Sequence, residues 1–90
     1  MHKIIMFHGA ECPHCQVMQP VVDKLIEEGM PIEKLEVWHS EENETKMHDY
    51  AEIIMEGCGT LGVPCFLDAE GQHAICGEMS YDDLKSWLSS

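Results

Sequence analysis

Cys12-Pro13-His14-Cys15 is the part of this chain whose residue types and spacing can do chemistry. Two cysteines separated by two residues, where the apolar run Ile4-Ile5-Met6-Phe7 gives way to a helical pattern, suit thiol–disulfide exchange. The first sulfur falls at the helix N-terminus, where unpaired backbone N–H groups and the positive end of the helix dipole stabilise a thiolate. Pro13 fits the first helical turn, because its missing N–H is no loss there. His14, when protonated, adds positive charge beside that thiolate. A stabilised thiolate is both a good nucleophile and a good leaving group at neutral pH. The same spacing is also half of a zinc site, and six histidines and three further cysteines keep metal chemistry open. Zinc sites usually join two such hooks, whereas this sequence has a single Cys-x-x-Cys.

The elements that must hold this motif can be read along the chain. Lys3 to His8 is a short, largely apolar strand, as a central buried position requires. Gly9-Ala10-Glu11 turns into a helix whose apolar face is Val17, Met18, Val21, Val22, Leu25 and Ile26, ending near Gly29. Pro20 lies inside it and is expected to kink it, since it removes one backbone hydrogen bond. Leu35, Val37 and Trp38 mark a second strand, preceded by Ile32. After the cap-rich stretch Ser40 to Asn43, Met47, Tyr50, Ala51, Ile54 and Met55 mark a second helix, followed by a loop over Gly57 to Gly62. Cys65-Phe66-Leu67 and His73 to Cys76 read as strands joined by the hairpin turn Ala69 to Gln72. Ser80 caps a last helix containing Tyr81, Leu84, Trp87 and Leu88, with Asp82 and Asp83 complementing its dipole. The order βαβαββα predicts an α/β fold. The βαβ crossover makes the first two strands parallel and the hairpin makes the last two antiparallel, giving a four-stranded mixed sheet flanked by helices.

Ninety residues make one domain, 1–90, with room for a single core. A net charge of −12 disfavours nucleic-acid and membrane-surface partners, which are themselves anionic. No apolar run approaches a membrane span. Met1-His2-Lys3 leads straight into a strand rather than into the apolar core of a signal peptide, and five cysteines, an odd number, suit a reducing compartment. A cytoplasmic location is the expectation.

With this order in place the chain resembles the thioredoxin–glutaredoxin superfamily over nearly its whole length. Three features carry the resemblance: Cys12-Pro13-His14-Cys15 after the first strand, Pro20 five residues beyond Cys15, and Gly62-Val63-Pro64 before a strand. It implies a thioredoxin fold and a role for each matching residue. Cys12 is then the exposed attacking nucleophile and Cys15 the resolving thiol. Pro64, as the family's cis-proline, places the Val63 backbone where an extended substrate pairs with it. Departures are also visible. Glu11 stands where thioredoxins have Trp, and its carboxylate opposes a thiolate, partly offsetting His14. Met6 stands where they carry a buried Asp, which leaves His8 as the nearest candidate base. The Pro-His dipeptide resembles that of periplasmic disulfide oxidases, while the length and the C-terminal end resemble glutaredoxins. The double glycine with which glutaredoxins hold glutathione is missing, with Glu78 and Met79 after Gly77, and no lysine falls at a recognisable glutathione position.

Cys65 and Cys76 read by default as small buried strand residues. Sharper alternatives are a regulatory Cys58–Cys65 disulfide, or Cys65 relaying oxidation or helping to bind a metal. His2, His39, His48 and His73 read as surface or strand-end residues, Met18, Met47 and Met55 as core filling, and Trp38 and Trp87 as core anchors. The expectation is therefore a monomeric thiol–disulfide oxidoreductase with no bound cofactor and no assigned metal ligand. It acts on protein disulfides, with electrons from a reductase or a low-molecular-weight thiol. Its rivals are a metal-binding or metallochaperone module using Cys12, Cys15 and His14 or Cys65, and a redox-gated binding domain without turnover.

Overall fold

The computed structural model describes residues 2–89. Strand β1 (Ile4–His8) is central in a four-stranded sheet of order β2-β1-β3-β4, where β2 is Ile32–Glu36, β3 Cys65–Asp68 and β4 His73–Cys76. β1 runs parallel to β2, in the register Ile4 to Ile32, and antiparallel to β3, in the register Met6 to Phe66. The β3–β4 hairpin is antiparallel, and Asp68 Oδ1 accepts the Gly71 N–H at 2.9 Å across its turn. The apolar run of β1 reflects cover on both faces: Ile4 and Met6 enter one hydrophobic cluster, Ile5 and Phe7 the other.

Helices α1 (Pro13–Glu27) and α4 (Tyr81–Leu88) form the first layer, where Met18, Val22, Leu25, Leu84 and Leu88 close over Ile4, Met6 and Phe66. Each large side chain fully buried in this way contributes about 1.5–3 kcal/mol. The buried stripe of α1 is Cys15, Met18, Val22 and Leu25, at helical spacing. It is narrower than the sequence pattern suggests: Val17 is 54% and Ile26 38% exposed. Including Cys15 in the stripe rotates those two outward. Pro20 lies inside α1, which continues to Glu27.

The other face carries α2 (Glu41–Asp49) and α3 (Ala51–Cys58), whose Met47 and Ile54 are buried. The sequence pattern reads these as one helix. Tyr50 breaks it, leaving helical geometry at φ −106°, ψ 16° and donating its N–H to Met47 O in a tight turn. α3 then runs to Cys58, through part of the segment expected as loop. Two core assignments also fail. Trp38 lies beyond the end of β2 and is 50% exposed, and Met55 is 48% exposed on the outer side of α3. The caps follow the sequence: Ser40 Oγ accepts the Asn43 N–H at 3.2 Å and Ser80 Oγ accepts that of Asp83 at 3.1 Å. No helix among the described residues is long and apolar enough to cross a membrane.

Candidate active site

β1 delivers the chain to a turn at Gly9-Ala10-Glu11, and α1 starts immediately after it. Cys12 is the N-cap of α1, and its Sγ accepts the Cys15 backbone N–H at 3.4 Å. The Cys12 thiol also faces Val63 O at 3.9 Å, so the loop before β3 lies directly against it. The Val63–Pro64 peptide bond is cis, Pro64 is fully buried, and its carbonyl accepts the Gly77 N–H at 2.9 Å. The structure thus brings together Cys12, Cys15, Val63 and Pro64 from positions far apart in the chain. Cys12 is less open than an attacking nucleophile suggests. It is 5% exposed against 0% for Cys15, because the Val63 carbonyl covers one side of the sulfur.

Cys15 sits one turn inside, on the buried stripe of α1. Burial pushes its thiol up to about 11; the hydrogen bond and charge of Cys12 add to this, and the Gly9 N–H donated to its sulfur at 3.5 Å opposes it. Cys15 is therefore a thiol at neutral pH. His8, the candidate base, bonds Gln19 through Nδ1 at 3.4 Å, and burial holds its pKa below the usual histidine value. Met6 is fully buried in the α1-side cluster.

The charged residues of the motif are each paired. His14 Nδ1 forms an ion pair with Glu78, from the loop between β4 and α4. Glu11 is met by His39, whose Nε2 lies 2.7 Å from both carboxylate oxygens. That hydrogen bond and charge raise the His39 pKa above its usual value. Neither Glu78 nor His39 carries a sequence signal for this role, since both reach the site only through the fold. Pro13 occupies the first turn of α1 and is exposed, as is His14.

Glu36, at the end of β2, is the positioning residue that sequence reasoning missed. Its carboxylate accepts the N–H of Ala10 at 3.0 Å, of Trp38 at 3.0 Å and of His39 at 2.8 Å. The active-site turn is thereby tied to the loop that carries His39. Partial desolvation raises the Glu36 pKa, but the three backbone bonds and the charge of His39 outweigh it and hold the carboxyl below the usual glutamate value. A depressed carboxylate stabilises the fold above its unfolded pKa, and that stabilisation disappears as the pH falls through the lower folded value. Glu36→Gln is expected to lower stability at pH 7 and to flatten the acid limb of the stability–pH curve below about pH 4.5, as followed by chemical denaturation. An unchanged acid limb would remove Glu36 from this role.

The Trp38 indole lies over Gly9, where a Cβ would stand 2.3 Å from Cδ2, so glycine is what allows the ring to cover the active-site turn. Beside the ring lies a groove of about 310 Å³ lined by Val37, Met47, Leu61 and Val63, the last of which faces Cys12 through its carbonyl.

The other three cysteines meet elsewhere. Cys58 is bonded to Cys76, with a Cα–Cα distance of 5.7 Å, while Cys12, Cys15 and Cys65 are free and buried. This corrects the Cys58–Cys65 pairing and the reading of Cys76 as a plain core residue. Cys65 and Cys76 are register partners on adjacent strands, and α3 brings Cys58 to the outer one, Cys76. Cys65 has the expected environment, and burial alone pushes its thiol up to about 12. The Sγ atoms of Cys58, Cys65 and Cys76 lie within 4.8 Å of one another, and among the described residues the metal-capable donors gather here.

Comparison with solved structures places this geometry in a known fold. The chain is similar to the glutaredoxin (grx-1) from Archaeoglobus fulgidus, with a TM-score of 0.68 at 21% identity, covering 100% of this chain and 89% of that one. It is similar also to the glutaredoxin from Methanosarcina mazei Go1, with a TM-score of 0.69 at 18% identity, covering 99% and 80%. No protein-family model and no curated protein matches the sequence. The sheet order β2-β1-β3-β4 with helices on both faces is thus a thioredoxin-like fold, shared with these two glutaredoxin structures.

Proposed function

We propose that this chain is a thiol–disulfide oxidoreductase of protein disulfides, with Cys12 as nucleophile and Cys15 as resolving thiol. The observation that carries this reading is the setting of the Cys12 sulfur. It caps α1, accepts the Cys15 N–H at 3.4 Å and faces the Val63 carbonyl at 3.9 Å. A helix N-terminus favours the thiolate that exchange requires, and the Val63 backbone offers an extended substrate a strand to pair with.

The thiolate of Cys12 attacks one sulfur of the substrate disulfide. A Cys12–substrate mixed disulfide forms and the other substrate sulfur leaves as a thiolate. Cys15 then loses its proton and attacks the Cys12 sulfur, releasing the second substrate thiolate and leaving a Cys12–Cys15 disulfide. Two electrons pass from the dithiol to the substrate, and a reductase or a low-molecular-weight thiol restores the pair. In the mixed disulfide Cys12 carries no charge, so one of the causes holding the Cys15 thiol up to about 11 is gone when Cys15 must ionise. The release step is expected to rise roughly tenfold per pH unit across the neutral range, as the ionised fraction of a high-pKa thiol does. Single-turnover release of a chromogenic thiol preloaded on Cys12 measures it, and a pH-independent rate would assign the proton to another group.

The reading needs one chain, residues 1–90, and no bound cofactor. The unpaired Cys65 supports work in a reducing compartment such as the cytoplasm, and the Cys58–Cys76 bond is the feature that opposes it. The groove beside Val63, with Glu44 on its wall, and the net charge of −12 favour neutral or basic substrate segments. Reduction of a model protein disulfide by dithiothreitol tests the activity. Acceleration by the chain supports turnover, whereas a reversible Cys12–Cys15 bond with no acceleration would make it a redox-gated binding domain.

A further inference from the structure

A second sulfur centre lies on the α2/α3 side of the sheet, apart from Cys12 and Cys15. Cys58 ends α3, Cys65 begins β3 and Cys76 ends β4, and their three Sγ atoms lie within 4.8 Å of one another. Three separately anchored backbone positions hold this convergence. Cys65 and Cys76 are paired residues of antiparallel strands, whose side chains share one face. α3 reaches Cys76 because residue 57 is glycine: a Cβ there would lie 2.4 Å from the Ala74 carbonyl oxygen. Cys65 is fully buried, while Cys58 and Cys76 are half-buried and give the group an open side.

We propose that Cys58, Cys65 and Cys76, when reduced, form a three-sulfur binding site for a soft monovalent cation, Cu(I). The donor set decides the ion. It holds sulfur alone, without the oxygens that hard cations require. It offers three ligands, where structural zinc takes four. Thiolates select soft ions, Cu(I) and zinc among them; three sulfurs complete a trigonal Cu(I) site, whereas zinc would have to take a fourth ligand from solvent. A dithiol first reduces the Cys58–Cys76 bond, giving two electrons and two protons and becoming a disulfide itself. One Cu(I) then forms three Cu–S bonds, the three thiol protons pass to solvent, and the metal keeps its oxidation state. The open side at Cys58 and Cys76 admits the ion and lets water screen the resulting negative charge. Re-forming the Cys58–Cys76 bond removes two of the three ligands, so the disulfide and the bound ion exclude each other. None of this depends on the exchange activity of Cys12 and Cys15.

The test uses the full chain carrying Cys12→Ser and Cys15→Ser, so that the other sulfur pair cannot contribute. It is reduced with dithiothreitol, desalted without oxygen and titrated with Cu(I) against bicinchoninate. One Cu(I) per chain is expected to resist the chelator, and none when the Cys58–Cys76 bond is intact. Cys65→Ser and Cys76→Ser, each added to that background, are expected to weaken binding by more than roughly tenfold. Circular dichroism confirms that each variant is folded, and the half-buried Cys76 position stands in should Cys65→Ser fail. No binding by the reduced chain overturns the proposal. So does equal binding by the disulfide form, or an affinity unchanged in both serine variants.

Discussion

Cys12→Ser is expected to bring disulfide exchange down to the uncatalysed background, while Cys15→Ser stalls it one step later. The difference follows from where the two sulfurs sit. Cys12 caps α1, faces Val63 O at 3.9 Å and keeps the little exposure the pair has, so it alone can meet a substrate disulfide. Without its sulfur no mixed disulfide forms. Cys15 is fully buried, and the thiol beside its sulfur is that of Cys12. Its replacement leaves the first attack intact and removes the second, so the Cys12–substrate adduct accumulates to one equivalent and is seen by non-reducing electrophoresis and mass spectrometry. Cys65→Ala is expected to keep most of the turnover, because Cys65 packs in the cluster on the α2/α3 side and takes no part in the exchange. Adduct on Cys65, or a Cys12→Ser chain that still turns over, would contradict the assignment of roles.

Loss of the Cys58–Cys76 bond is expected to be the largest single stability change in the chain outside its core. The bond closes a loop of sequence separation 18. The chain-entropy relation assigns a loop of that length about 3 kcal/mol, a large share of the roughly 5–15 kcal/mol that holds a domain together. In a domain of this size that lowers Tm by about 10–25 °C. Cys58→Ser/Cys76→Ser and the dithiothreitol-reduced natural chain should melt together, well below the oxidised natural chain in differential scanning calorimetry. The bond also ties the end of α3 to the strand whose neighbour, Gly77, holds the Pro64 carbonyl. A Tm insensitive to dithiol would show that the bond contributes nothing to the folded chain.

The parts of this molecule legible in its sequence are those governed by local rules. The run Ile4 to Phe7 marks the doubly covered strand, the 3–4 spacing marks α1, and Ser40 and Ser80 announce their caps. The β3–β4 hairpin and the last helix fall where the turn residues put them. Cys12 and Cys15 stand out because their chemistry depends on neighbours within one helical turn. What stayed hidden depends on contacts between distant segments. Glu36 looks like any acidic residue at a strand end until the fold aims three N–H groups at it. His39 and Glu78 become partners of Glu11 and His14 only through tertiary approach. Cys58 and Cys65 are candidates for pairing because the two flank the Pro64 loop, yet the helix runs two residues into the loop expected from Gly57 and delivers Cys58 to Cys76. Trp38, a core anchor on the sequence, lies over Gly9 at the surface.

Exchange through Cys12 and Cys15 requires that they form a reversible two-electron couple. Equilibrating the chain across a series of glutathione redox buffers, trapping the thiols and mapping them by mass spectrometry reads that couple apart from Cys58, Cys65 and Cys76. Cys12 and Cys15 should lose their trapping label together, in one transition that retraces on reduction, whatever the state of Cys58–Cys76. A chain in which Cys12 and Cys15 stay free thiols at every buffer ratio would contradict the exchange mechanism.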